Sequence, residues 1–487
     1  MIKKYRKNIL LFLVVFLVAL TMCFAFLQPH YAHETYKIIH IGYTEYSYDY
    51  FLKEGRPFTA LFSVLADKIN LPIEIYIIAS FILALIFLSI SVVLVYNLFR
   101  EKIINCSKWM EVILVLISFL IIFNYCAIEH IYFLECFIMA FGILLSVIMA
   151  KIIIKNEKYK YIKATLLGLI VVSCYQGSLA IFPMLVLVYK LFIEKSSIKN
   201  IIKDIVKISV IYIILMLLTI LYSKILFGGS RVQMGAEPFS ITEVWEWTIQ
   251  LVVNSLGVIL PYVHIAFIIL TVLVILFWAK NSKKEKTIYI LKYLFIIVYS
   301  IGMSLAPIIG GSGLELTPRT CIAYGCTIGL SLYIMLLVIS ANSKKYQVVL
   351  ISIITIFTFL CNISIYVVIT NQHIEVNKLD KENCEKIEKV IEEYEAETNI
   401  KVTKIAAATK KGNIEYYPGF IHAGAITRRA LNTWPLRETI IFYTGRDLEF
   451  VGFPIDKYEK EYKEKIWDDF SLELVSIEGD TLYFFGG

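Results

Sequence analysis

The stretch YAHETYKIIHIGYTEYSYDYFLKEGRPF at 31–58 holds two histidines, six tyrosines, four carboxylates and one arginine, directly after a long apolar segment. Those side chains suit acid–base work and anion binding. Glu34, with His33 before it, is placed to take a proton from a hydroxyl within hydrogen-bond reach. The EGR run brings Glu54 and Arg56 together, and a guanidinium can offer a phosphate a bidentate fork. Further along, EHIYFLECF supplies Glu129, His130 and Glu135; SCYQGS supplies Gln176; GGSRVQMGAEPF and LELTPRT supply Arg231 and Arg319 beside glycine or proline. Two cations beside carboxylates are what a sugar phosphate needs.

Each residue also has an ordinary reading. Glu34 could be a solvated loop carboxylate, His130 an interfacial histidine, and the three arginines interfacial anchors. The YQG tripeptide could do no more than turn the chain, since glycine tolerates unusual backbone angles. Glu135 is harder to dismiss. The pattern puts it about one and a half turns into an apolar helix, where an unpaired carboxylate costs several kcal/mol, so it calls for a partner and a polar cavity.

The elements that must hold these groups are membrane helices. The chain is 58% hydrophobic, with a mean hydropathy of +0.71, and carries repeated apolar runs of about 20 residues, the length that spans a hydrocarbon core. The composition describes a polytopic α-helical membrane protein. Spans are expected near 8–27, 71–99, 109–128, 131–154, 161–175, 177–194, 204–227, 261–279, 287–308, 319–340 and 346–370. The first is too long for a secretory leader and is read as retained. The fifth and sixth are short and meet at SCYQGS, as a V-shaped hairpin would.

About eleven crossings put the two ends on opposite sides, and every basic loop then falls on the side of the N-terminal MIKKYRK, as cytoplasmic loops should. The +7 net charge therefore reports topology, not nucleic acid. On this topology the N-terminus is cytoplasmic, and His33, Glu34, Glu54, Arg56, Glu129, His130, Glu135, Gln176, Arg231 and Arg319 all gather at the outer face. Transporters more often carry charge or broken helices near mid-membrane; one-sided chemistry suits an enzyme acting on a lipid-linked substrate.

Two domains are expected: a transmembrane catalytic domain over 1–370, and an extracytoplasmic α/β domain over 371–487, where a charged helix pattern precedes the strand-like runs KVTKIAAAT, ETIIFYTG, LELVSIE and TLYFFGG. Most of the nine cysteines lie in or beside apolar runs without metal-ligand spacing, which points to neither a disulfide framework nor a zinc site. No Walker or dinucleotide-type glycine loop is present.

HETYKI followed by EGR, the EH…E segment, the SCYQGS hairpin and the PRT loop together resemble the bacterial membrane glucosyltransferases of the Gtr type II group over roughly residues 1–370. That group is similar to the wider GT-C class. Its first outer loop typically opens with a paired acidic motif, whereas here His33-Glu34-Thr35 offers one carboxylate.

The resemblance implies transfer of a hexose, glucose above all, from a polyprenyl phosphate to a cell-envelope polysaccharide or teichoic acid, with inversion, in the bacterial cytoplasmic membrane. Glu34 would be the general base, and Arg56, Arg319 and Arg231 would hold the phosphate. His33, Glu54, Glu129, His130, Glu135 and Gln176 would bind sugar or acceptor or orient the arginines. The partners implied are the polyprenyl-phosphate sugar, the envelope glycan acceptor, membrane lipid, and a separate synthase and flippase for the donor. A divalent metal stays open: paired carboxylates would favour one, and the single Glu34 argues against it. The rival readings are a flippase or exporter and a polymerase of lipid-linked glycans.

Overall fold

The computed structural model describes residues 2–485 apart from 102, 104–106, 195–197, 230–240, 280–281, 310–315, 341–343, 409–414, 458–459 and 462–469. It is mostly helical, with a small sheet near the C-terminus. Among the described residues seven helices are long and apolar enough to cross a membrane. An eighth is gained if Lys108–Ile122 and Tyr125–Ile131, bent by 63°, form one broken span. This is fewer than the eleven expected. Two of the expected crossings are the short helices Lys160–Cys174, 15 residues, and Val263–Trp278, 16 residues. At 1.5 Å per residue these run only about 23 Å, short of a core about 30 Å thick.

The helices form one large apolar core in which Ile73–Arg100, Cys136–Ile154, Gln176–Ile193 and Ile322–Ser340 are mostly buried. Leu217 and Phe357, by contrast, turn their side chains outward at 54% and 68% exposure, which suits a lipid-facing belt. Two breaks in the helical pattern shape the region of interest. Asn124 caps the 3-10 turn Tyr125–Ile131 by accepting from Cys126 N. Pro318 opens the 3-10 turn Pro318–Thr320. Gly325 lies so close to Asn124 that a Cβ there would overlap its carboxamide, which locks the two breaks together.

The helix Lys345–Thr398 has 54 residues, so it is about 80 Å long, and it runs uninterrupted through the boundary expected at 370. Its first half is apolar. Its second half packs Cys384, Ile387 and Ile391 into a separate core with Leu482 and Phe484. There four strands, β1 (Lys404–Ala408), β2 (Glu449–Phe450), β3 (Val475–Glu478) and β4 (Thr481–Phe485), order as β2-β1-β4-β3. β1 runs parallel to β2 and β4, and β3 and β4 form a hairpin.

The expected strand ETIIFYTG is instead the helix Leu436–Thr444. Pro435 stands at its N-cap and Gly445, at φ 68°, ends it in a left-handed turn. Leu436 and Ile440, four apart, share one face and bury it in the second core, so helical packing overrides strand-like composition.

Candidate functional site

One cleft collects Glu34, Tyr46, Phe51, Glu54, Arg56, Phe133, Glu135, Met139, Tyr175 and Arg319. Five chain segments meet there. Glu34 stands in the first turn of the helix His33–Ile41. Glu54 and Arg56 come from the loop before the helix Pro57–Lys68, at whose N-cap Arg56 sits. Glu135 caps Cys136–Ile154 from outside rather than lying one and a half turns within an apolar helix. The segment before it is broken by the Asn124 turn, so the carboxylate reaches the cleft without entering a span.

Arg56 is held on three sides. Its Nη2 lies 3.1 Å from Glu54 Oε2 and its Nη1 lies 3.7 Å from Glu135 Oε1. Its guanidinium sits 4.9 Å over the ring of Tyr175. Arg319 sits 4.5 Å over the ring of Phe133. Planar cations stacked on rings keep a fixed orientation while their N–H edges point outward. The buried atoms Arg56 Nε and Arg319 Nη1 have no hydrogen-bond partner among the described residues, as donors facing an anion site would.

The charges explain which groups stay ionised. Burial works to lower the affinity of Arg319 for its proton, but Glu129, Tyr175, Glu34 and Glu54 outweigh it and hold the guanidinium above its ordinary value. Glu135 is pushed up to about 7, first by burial and second by the charge of Glu34, while Arg56 pulls it down. A carboxyl poised near neutrality between a like charge and a cation can exchange a proton with a hydroxyl at physiological pH.

The remaining expected residues stand around the cleft. Glu129 is fully buried, and its carboxylate accepts from two backbone N–H groups, Arg319 at 3.0 Å and Ala425 at 2.9 Å. Gln176 donates its amide to the Glu54 carbonyl at 2.9 Å, so it braces the EGR loop from behind. His33 is buried with Nε2 3.0 Å from the Arg428 carbonyl oxygen. His130 is buried edge-on to Tyr175, 5.5 Å between ring centroids. Arg231 lies outside the described residues. Among the described residues no group of three or more His, Cys, Asp and Glu converges to hold a metal ion.

Sequence reasoning passed over Tyr175 and Phe133, because a buried aromatic in a membrane protein carries no mark separating a cation's platform from core. It also passed over the segment around Gly424 and Ala425, whose composition is plain. Spacing cannot show a contact with Glu129 made across almost three hundred residues.

No curated protein matches the chain. The family model described as Glucosyl transferase GtrII matches residues 23–326, which include every described candidate residue. The chain belongs to the Glucosyl transferase GtrII family.

Proposed function

We propose that the protein transfers glucose from a polyprenyl-phosphate donor to a hydroxyl of a cell-envelope polysaccharide or teichoic acid, at the outer face of the cytoplasmic membrane. The observation that carries this reading is the pairing, in one cleft, of two ring-stacked guanidiniums, Arg56 and Arg319, with two carboxylates, Glu34 and Glu135. The cleft stands where loops leave a bundle of apolar helices. A sugar phosphate has its negative charge next to its reacting carbon, and the cleft offers cations and carboxylates side by side.

In this mechanism Glu34 takes the proton from the acceptor hydroxyl as its oxygen attacks the anomeric carbon. The bond from that carbon to the phosphate oxygen breaks and its electron pair leaves on the phosphate. Arg56 and Arg319 meet the charge that develops there, in a site poor in water where fixed cations act strongly. Glu54 and Glu135 keep Arg56 oriented, and Glu135, near its midpoint at neutral pH, can share in the proton transfer. His33, Glu129 and Gln176 hold the surrounding backbone.

An apolar groove of about 350 Å³ supports a lipid-linked donor. It is lined by Val263, Phe267, Ile328 and Phe357 among others, and also by Tyr125, which stands on the same 3-10 turn that carries Glu129. In this reading the groove takes the isoprenoid chain of the donor.

The test is sugar transfer in membranes of a deletion strain, with radiolabelled polyprenyl-phosphate glucose and label followed into envelope polymer. Wild type should transfer and Glu34→Gln should not, at equal expression. A Glu34→Gln variant near wild-type activity would remove Glu34 as base. Wild type that moves no label would sink the donor assignment in favour of translocation or polymerisation of lipid-linked glycan.

A further inference from the structure

The segment Ile421–Arg428 lies far along the chain from the family match, yet it is built into the same site. Ala423 and Ile426 are fully buried, and they belong to the large helical core, not to the core of the sheet. The segment is laid across the long helix: Ile421 N donates to Gln372 Oε1 at 3.0 Å, and His373 Nδ1 lies 2.6 Å from the Ile426 carbonyl oxygen. Thr427 Oγ1 closes the turn by accepting from Ala423 N at 3.0 Å. At the tip, Gly424 has φ +63° and Ala425 donates its N–H to Glu129. A Cβ on Gly424 would fall 2.6 Å from Glu129 Oε1 and 2.9 Å from Pro318 Cδ.

We propose that this segment is a clamp on the phosphate end of the cleft, fixing Glu129 and through it the backbone of Arg319. Both carboxylate oxygens of fully buried Glu129 are taken up by backbone donors, one from the PRT turn and one from the clamp. Withdrawing the Ala425 N–H leaves a buried oxygen short of a donor, a costly state that the carboxylate relieves by turning away from Arg319. Glu129 is thus a positioning residue, and the C-terminal region decides whether Arg319 is held on Phe133 and aimed into the cleft. The proposal rests on the transfer reading for the ligand of Arg319, and on geometry alone for the clamp.

Two measurements on the full-length protein separate those dependencies. The first is hydrogen–deuterium exchange of peptides covering Pro318–Cys321, in wild type, Gly424→Ala, Glu129→Gln and Gly419→Ala. Gly419 is the control, because it too has a positive φ, +81°, but has nothing within 4 Å of its would-be Cβ. Exchange there should quicken by about tenfold in Gly424→Ala and Glu129→Gln, since a local opening of about 1.4 kcal/mol changes a population tenfold, and stay unchanged in Gly419→Ala. Unchanged exchange in Gly424→Ala and Glu129→Gln overturns the clamp.

The second is transfer kinetics: the donor KM should rise about tenfold in Gly424→Ala and in Glu129→Gln, with the acceptor KM held within about twofold, stay unchanged in Gly419→Ala, and be no worse in the Gly424→Ala/Glu129→Gln double variant than in the more impaired single one. Additive losses, or equal rises in both KM values, overturn it. Quickened exchange in a protein whose wild type uses no polyprenyl-phosphate sugar would keep the clamp and discard the donor.

Discussion

At the scale of single residues, the cleft works by neighbours shifting one another. Glu135 is pushed up to about 7 by burial and by Glu34, against the pull of Arg56. The rate of transfer should therefore rise with pH along a limb centred near 7, if ionised Glu135 is the working form. Glu135→Gln should abolish that limb. Arg56→Gln removes the cation beside it that favours ionisation and should move the limb to higher pH, measurable on whatever activity survives. A limb that stays put in both variants would assign it to another group. Arg319 faces the cleft with a buried Nη1 that has no partner among the described residues. Its truncation to alanine should lower kcat/KM on the order of a hundredfold, the usual loss for one preorganised charge-stabilising donor. Lysine should rescue it poorly, because a point charge neither forks nor stacks on Phe133 as a guanidinium does.

At the scale of elements, the cleft exists because helices stop early. Asn124, Glu135 and Pro318 mark places where helical hydrogen bonding is interrupted, and each interruption turns a loop toward the same point. The EGR loop is held by a side chain from another break, since Gln176 donates to the Glu54 carbonyl at 2.9 Å. Gln176→Ala removes one such bond, worth about 1 kcal/mol. The donor KM should rise about fivefold with kcat little changed. A larger fall in kcat would show that Gln176 itself touches the sugar. YQG in the sequence suggests a turn, and that reading is consistent with the 3-10 turn Gln176–Ala180; its bond to the EGR loop is made only in the folded chain.

At the scale of the whole molecule, the C-terminal region is stitched to the segment after the first helix. Lys37 Nζ lies 2.5 Å from Glu438 Oε1, and the hydroxyls of Tyr36 and Tyr443 meet at 2.9 Å. Glu438 is almost fully buried, so Lys37→Ala leaves its charge without that cation and should destabilise the docked form by about 3–5 kcal/mol. Limited proteolysis should then cut the C-terminal region faster, and Lys37→Met with Glu438→Gln should recover much of the loss; unchanged proteolysis would show that the pair does not hold the region.

Two buried carboxyls, Glu135 and Asp380, are each raised to about 7 from ordinary values of 4.5 and 3.8, with burial as the leading cause. The folded state then binds more protons than the unfolded one between about pH 4 and 7, so their contribution to stability is full below that window and is lost as pH rises through it. Thermal unfolding in detergent should show a falling midpoint across that window, less steeply in Asp380→Asn; a midpoint rising with pH would contradict it.

The sequence by itself determined that the chain is a helical membrane protein, because runs of about 20 apolar residues leave no other way to satisfy the backbone in lipid. It also singled out the carboxylates and arginines, since charge beside apolar runs needs a reason, and the short motifs were enough to suggest the family. Tertiary structure alone decided the rest. Whether ETIIFYTG is strand or helix depended on which core received Leu436 and Ile440. The partners of the Glu129 carboxylate, two backbone N–H groups of which one belongs to Ala425, are brought to it only in the folded chain. Hydrophobic patterning reports how a segment meets its solvent, but the partner of a buried polar group is chosen by where distant segments come to rest.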